Sequence, residues 1–346
     1  KGRIVNEAIV EDRGSSSNGG SRLARVFRDA LGEATALLLA AAFFLAAWPL
    51  VPGLAGRENL SNLLLKLLPL LAVALGETIV LITGGIDLSV TSIIATCSVV
   101  SAWVMSGSNA GGGPGPALAV LMAVLAALAV GALIGLVNGV SVAVLEMPPF
   151  LVTLSTTAIV GGAVLWSTGS RNIANLPDAF TVIGWGEVGG IPHFVWIVGL
   201  LAVAVHVLLA WSLPGRWLYA IGHNRRVARI SGVPVKGVTT LAYVLSGLCS
   251  AIAALLYTAR LETGSPTMGR EILLDVVGAS VIGGTSLLGG RGTVPGTVFG
   301  VLLFSLLDNT LDLVGLEYYT IMTIKGAVIL VAAGVDLLRV SARMRP

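Results

Sequence analysis

"GETIVLITGGIDLSVTSIIA", residues 76–95, lies between two long apolar runs, yet it carries Glu77, Asp87 and the Gly84-Gly85 doublet. It reads as the end of one helix, a tight glycine turn and the start of another. What surrounds it decides the fold. Of 346 residues, 55% are hydrophobic and only 11% charged, with a mean hydropathy of +0.92, where a soluble domain carries about 25% charged residues. The helix–turn–helix unit therefore belongs in a membrane.

Working outward, apolar runs near the ~20 residues needed to cross a bilayer fall at 31–51, 60–83, 88–106, 117–145, 150–168, 194–213, 238–259, 272–288, 294–312 and 319–338. The expected fold is an all-α, polytopic transmembrane bundle of about ten spans, some short or broken, in a single domain over 31–340. The 44 glycines suit close helix packing and interrupted helices. Residues 1–30, with "GSSSNGGS" at 14–21, read as a disordered tail. Arg22, Arg25 and Arg28 ahead of the first run favour an uncleaved first span.

Basic residues test the span count, because they concentrate on the cytoplasmic side. The 214–237 loop holds Arg216, Arg225, Arg226, Arg229 and Lys236 without an acid. Ten spans put it on the side of the N-terminal arginines and of Arg339, Arg343 and Arg345. The opposite loops, "SGSNAGGGPGP" and 169–193, are poor in Lys and Arg. The expectation is a multi-pass membrane protein with both termini on the cytoplasmic side. A net charge of +3 without a basic stripe gives no reason to expect nucleic acid. Cys97, Cys249, His193, His206 and His223 are too scattered for a disulfide framework or a metal site.

Three sets of residues carry candidate chemistry. In the basic loop, Asn224 is a good helix N-cap, "RRVARIS" supplies about two turns, and Gly232 suits the position after the helix end. Arg225, Arg226 and Arg229 share one side of that short helix, with Val227 and Ile230 on another. Gly222 precedes it and Ala228 lies within it. Second, "TGGID" and "LGGRGTVPG" resemble each other and hint at an internal repeat; Gly84, Gly85, Asp87, Ser89, Gly289, Gly290 and Arg291 are their turn or gate residues. Asp87 reads either as an acid stabilised at a helix N-terminus or as part of a cytoplasmic gate, and Lys66 or Lys325 is the expected partner of Glu77. Third, Asn138, Thr153, Ser155, Thr156, Thr285, Ser286, Asp308 and Asn309 supply hydroxyl, amide or carboxylate groups for a polar pathway. Each serves equally well as an interhelical hydrogen bond.

Five stretches, in order, resemble the permease subunits of ribose- and galactoside-type ABC importers: "LITGGIDLSV", "MPPFLVTLSTTAIVGG", "YAIGHNRRVARISGVPV", "VIGGTSLLGGRGTVPGTVFG" and "YYTIMTIKGAVILVA". The resemblance runs from about residue 60 to 338. It implies a sugar pathway shared with a second permease copy or a homologous permease, loaded by a periplasmic or lipid-anchored sugar-binding protein and driven by a cytoplasmic ABC ATPase. It further implies a bacterial cytoplasmic (inner) membrane as the location, and that the 222–232 helix couples to that ATPase. One departure is "LLDNTLDLVG", where the family often has paired Asn followed by Gly and this chain has Asp308 and Thr310. The chain has no phosphate-binding G-x-x-x-x-G-K-[ST], and none of its four lysines follows a glycine, so no cofactor is expected on it. ATP and Mg belong to the partner ATPase, and the chain itself is a non-catalytic subunit in contact with membrane lipids. The competing reading is an ion-coupled secondary transporter. An intramembrane hydrolase lacks both G-x-S-x-G and a suitably placed base.

Overall fold

The computed structural model describes residues 35–106 and 115–344. The predicted tail, 1–30, lies outside these, as does most of the "SGSNAGGGPGP" loop. The described residues form thirteen helices and one two-stranded hairpin. In chain order these are α1 (Thr35–Ala47), α2 (Arg57–Ile82), α3 (Val90–Ser106), α4 (Pro116–Ala143), α5 (Pro149–Thr168), α6 (Asp178–Trp185), β1 (Glu187–Val188) and β2 (Ile191–Pro192). There follow α7 (His193–Trp211), α8 (Leu213–His223), α9 (Arg225–Ile230), α10 (Val235–Leu261), α11 (Leu273–Ile282), α12 (Val294–Leu313) and α13 (Tyr318–Met344).

Six helices, α2, α4, α5, α7, α10 and α12, are long and apolar enough to cross a membrane, and α1, α3, α11 and the 318–334 part of α13 are shorter apolar helices. Together they match the ten apolar runs read from the sequence. The protein is a polytopic helical membrane protein. Two boundaries need correction. The expected span at 272–288 is the ten-residue α11, which stops at Gly283. The chain beyond it turns back on itself, with Ser286 N–H donating to the Arg291 carbonyl. Within the expected loop at 214–237 stands a second helix, α8, started by Ser212, whose Oγ accepts the Gly215 N–H at 3.0 Å, and held down by buried Leu218 and Ile221.

Helix order from centre to rim follows burial. Of α2's apolar stretch 89% is buried, against 22%, 17% and 22% for α4, α5 and α7. An apolar helix buried on all sides is a core element, whereas one apolar all round but bare is dressed by lipid or by another chain. α2 is therefore the central post, with α10, α12, α7 and α11 packed around it. α4 lies closest on α10, where Gly131 and Gly135 meet the Gly247 and Tyr243 backbones with no room for a Cβ. Small residues permit that approach.

The link from α10 to α11 is not a surface loop. Gly264 sits against Ala102 and Gly269 against Ile94, so residues 264–269 descend along α3 by eight residues, about 12 Å of helix. Hydrogen bonds hold the descent: Ser265 N–H donates to Ser98 Oγ at 3.2 Å, and Thr258 Oγ1 donates to Ser98 Oγ at 2.7 Å.

Candidate functional site

The α2–α3 turn is buried, and its carboxylate is the end of a directed hydrogen-bond chain. Thr156 Oγ1 donates to Asn138 Oδ1 (2.6 Å), Asn138 Nδ2 to Ser89 Oγ (2.8 Å), and Ser89 Oγ to Asp87 Oδ1. The Ser89 N–H also donates to Asp87 Oδ1 at 3.0 Å, and Ser246 Oγ of α10 donates to Oδ2 at 2.9 Å. Thr153 and Thr157 of α5 reach the Ile86 and Leu88 carbonyls at 3.4 and 3.0 Å. Asp87, Ser89, Asn138, Thr153 and Thr156, five residues singled out in the sequence, thus form one network joining α4, α5 and α10 to the turn. Asp87 closes a turn onto the second residue along and tethers α10, all at zero exposure. Its acceptance of the Ser89 N–H just before α3 agrees with the reading of an acid placed at a helix N-terminus.

Glu77 has neither expected partner. Its Oε1 accepts the Asp87 N–H at 3.2 Å, and its Oε2 is buried without a hydrogen bond. Lys66 pairs instead with Asp312 at 3.3 Å. Lys325 lies 3.0 Å from Asp275 and 2.7 Å from Asp308, with its side chain only 8% exposed. Two carboxylates on α11 and α12 therefore share one ammonium on α13. Asn309 exchanges two 2.9 Å amide bonds with Asn59 of α2. Asp308 and Asn309 stand in helix-to-helix locks, an arrangement that spends their polar groups on the bundle itself.

Backbone contacts tie the turn to the basic segment. The Gly290 N–H donates to the Ile82 carbonyl at 2.8 Å. A Cβ on Gly222 would collide with that same carbonyl and with the Gly290 nitrogen, and one on Gly289 would fall 2.9 Å from the Gly84 nitrogen. The "TGGID" and "LGGRG" turns and the end of α8 thus meet backbone to backbone. Tyr219 Oη fastens α8 there by donating to the Gly292 carbonyl at 2.7 Å. Gly85 is pressed against the Tyr243 hydroxyl. Thr285 and Ser286 belong to this junction: Thr285 is buried beside Gly292, and Ser286 Oγ accepts the Leu288 N–H at 3.3 Å. Arg291 contributes its carbonyl.

From the junction α9 projects. Asn224 Oδ1 accepts the Arg226 and Val227 N–H groups, both at 3.0 Å, and Gly232, at φ +83, ends the helix in the left-handed region that an L side chain resists. Both caps agree with the sequence reading. Only Ala228 faces the bundle; Arg225, Arg226, Val227, Arg229 and Ile230 are exposed. Arg229 reaches Glu146 of the α4–α5 loop at 3.6 Å, an exposed and weak pair.

Beside the Asp87 network, α3, α5 and the descending 264–269 segment with Arg270 line an open-sided cavity of about 380 Å³. Thr91, Ser92, Thr157, Gly161, Gly162, Met268 and Arg270 are among its lining. Sequence reasoning missed these. Thr157 is one residue beyond the chosen Ser155 and Thr156; Ser155 itself is on the exposed side of α5. The only available signal was hydroxyls facing small residues at helical spacing.

The family model described as branched-chain amino acid transport system / permease component matches residues 59–333. The ribose import permease of Escherichia coli is 37% identical over 81% of this chain and 85% of its own, and that of Bacillus subtilis 38% over 80% and 84%. The galactose/methyl galactoside import permease of Escherichia coli is 33% identical over 81% and 87%. No solved structure matches significantly. Import permeases of this kind support the importer reading and not the ion-coupled alternative. With a family match spanning 59–333 and relatives above 30% identity along four-fifths of its length, the chain belongs to this family of transport-system permease components.

Proposed function

We propose that the protein is the pathway-forming subunit of an ATP-driven importer for a sugar or sugar-like solute, with α9 as the element that receives the force of a cytoplasmic ATPase. The observation that carries this reading is α9 itself: a capped helix whose three arginines and two apolar residues are all exposed, standing on a backbone junction that reaches the polar network. An exposed Val227 and Ile230 beside three guanidinium groups suit a protein cleft better than water, since Arg forks favour carboxylates in a fixed geometry.

Transmission follows from packing. Backbone contacts without intervening side chains have little compressibility, so a displacement of α9 moves Gly222 against Ile82 and Gly290. The 83–89 turn moves with Ile82. Through Asp87, Ser89, Asn138 and Thr156, that turn is tied to α5, one wall of the cavity and the least buried of the long helices. Alternating narrowing and opening of the cavity is the expected result. The hydroxyls of Thr91, Ser92 and Thr157, set in an otherwise largely apolar wall, suit a polyhydroxylated solute that must bind weakly enough to leave.

Relatives named for ribose and galactoside import support the sugar assignment, a binding protein on the outer side, a second permease to complete the pathway, and ATP and Mg on a separate subunit. The basic 214–237 segment supports a cytoplasmic location for α9 and for both termini. Co-purification tests the reading: Arg226→Glu and Gly232→Val should lose the ATPase and ATP-dependent uptake at normal abundance. Retention of both in both variants would refute it.

A further inference from the structure

Arg270 is the one charged residue in the cavity wall. It stands at the foot of the descending segment, two helical turns down α3 from Ala102 and just before α11. Among the described residues no carboxylate lies within ion-pair distance of it. The nearby Asp275 is engaged with Lys325. The Arg270 side chain is exposed in the single chain, so its guanidinium is open to water or to an anion entering the cavity.

The rest of the wall is largely apolar, and in it the Ser92 and Thr157 hydroxyls have the opposite character. The Ser92 hydroxyl donates to the Ser89 carbonyl at 2.9 Å, and the Thr157 hydroxyl to the carbonyls of Thr153 and Leu88 at 2.8 and 3.0 Å. Their hydrogens are committed to backbone, so toward a ligand these oxygens act as acceptors. A polyol supplies the donors they need. Arg270 supplies five donors in a planar fork, the match for a carboxylate.

Resting on the permease reading above, we propose that Arg270 is a specificity-determining residue and that the transported solute is a sugar acid: a polyhydroxylated chain or ring bearing one carboxylate, bound at Arg270 while its hydroxyls meet Ser92 and Thr157. A single unpaired cation balances one negative charge, which fits a monocarboxylate better than a phosphate ester.

The test is uptake by the complete importer reconstituted in proteoliposomes, with radiolabelled D-galacturonate and D-gluconate as acids and D-galactose and D-ribose as neutral probes. ATP-dependent uptake of an acid is expected. Arg270→Gln should reduce it about tenfold or more, the size of a lost charge-assisted hydrogen bond, and Arg270→Lys should restore part of it. Uptake confined to the neutral probes and unchanged in Arg270→Gln would overturn the proposal while leaving the permease reading intact. Loss of binding-protein co-purification in Arg270→Gln would also overturn it, by making Arg270 a docking residue. No ATP-dependent uptake of either class would overturn the reading on which it rests.

Discussion

The Gly290 N–H donates to the Ile82 carbonyl at 2.8 Å, so the end of the central helix and the loop before α12 share one backbone contact directly beneath Gly222. This is why a glycine doublet interrupts the apolar run. The 83–89 turn and the Gly289-Gly290 turn together form the surface against which the end of α8 packs, with α9 projecting beyond it.

Adding a methyl group at Gly222 forces backbones apart, at the ~1–3 kcal/mol typical of overpacking. Gly222→Ala is expected to lower ATP-dependent uptake about tenfold or more. Gly237→Ala, with open space around it, should transport normally. Radiolabelled uptake normalised to protein abundance measures both, and wild-type uptake by Gly222→Ala would show that the contact tolerates slack.

Lys325→Met leaves Asp275 and Asp308 facing each other inside the bundle. Removing one partner of a buried ion pair costs about 3–5 kcal/mol, and the triple variant Lys325→Met, Asp275→Asn, Asp308→Asn should recover most of it. Thermal unfolding in detergent reads the difference. Equal melting of Lys325→Met and wild type would mean that the three charges are solvated.

Asp87 and Thr156 are joined through Ser89 and Asn138, so their effects should couple. Asp87→Asn is expected to cost about 1–3 kcal/mol because one acceptor oxygen becomes a donor. Combined with Thr156→Val, the double variant should depart from additivity by about 0.5 kcal/mol or more. Additive effects would break the proposed link between the turn and α5.

Arg229 and Glu146 make a contrast. Their side chains are 57% and 63% exposed, where a pair contributes about 0.2–1 kcal/mol. Glu146→Ala should leave the melting temperature nearly unchanged, while Arg229→Glu should lose ATPase co-purification. A large destabilisation by Glu146→Ala would contradict the assignment of Arg229 to an outside partner.

Features set by local chemistry were legible in the sequence. The ten apolar stretches follow from the thickness of hydrocarbon, and Asn224 and Gly232 frame α9 because cap preferences act within a few residues. Pairings across the chain were not. Nothing near Lys325 in sequence indicates Asp275, 50 residues away, and Glu77 looked like its partner only because both charges sit in apolar runs. The same distance problem hid the cavity: Arg270 reaches it because residues 264–269 descend along α3, outside every apolar run, and a length criterion cannot separate the ten-residue α11 plus the returning 283–288 turn from one continuous span. Asp308 and Asn309 illustrate the remaining ambiguity, since a polar side chain in a membrane helix serves a lock or a pathway with the same residue type.

Ile230 is 79% exposed at the end of α9, and what it touches in the membrane decides the role of that helix. A photo-crosslinking side chain at position 230, in cells making the whole importer, is expected to capture the ATP-hydrolysing subunit, with a control at Trp166 on α5 capturing none. Crosslinks from position 230 to lipid alone, with ATP-dependent uptake intact, would contradict the assignment of α9 as the coupling element.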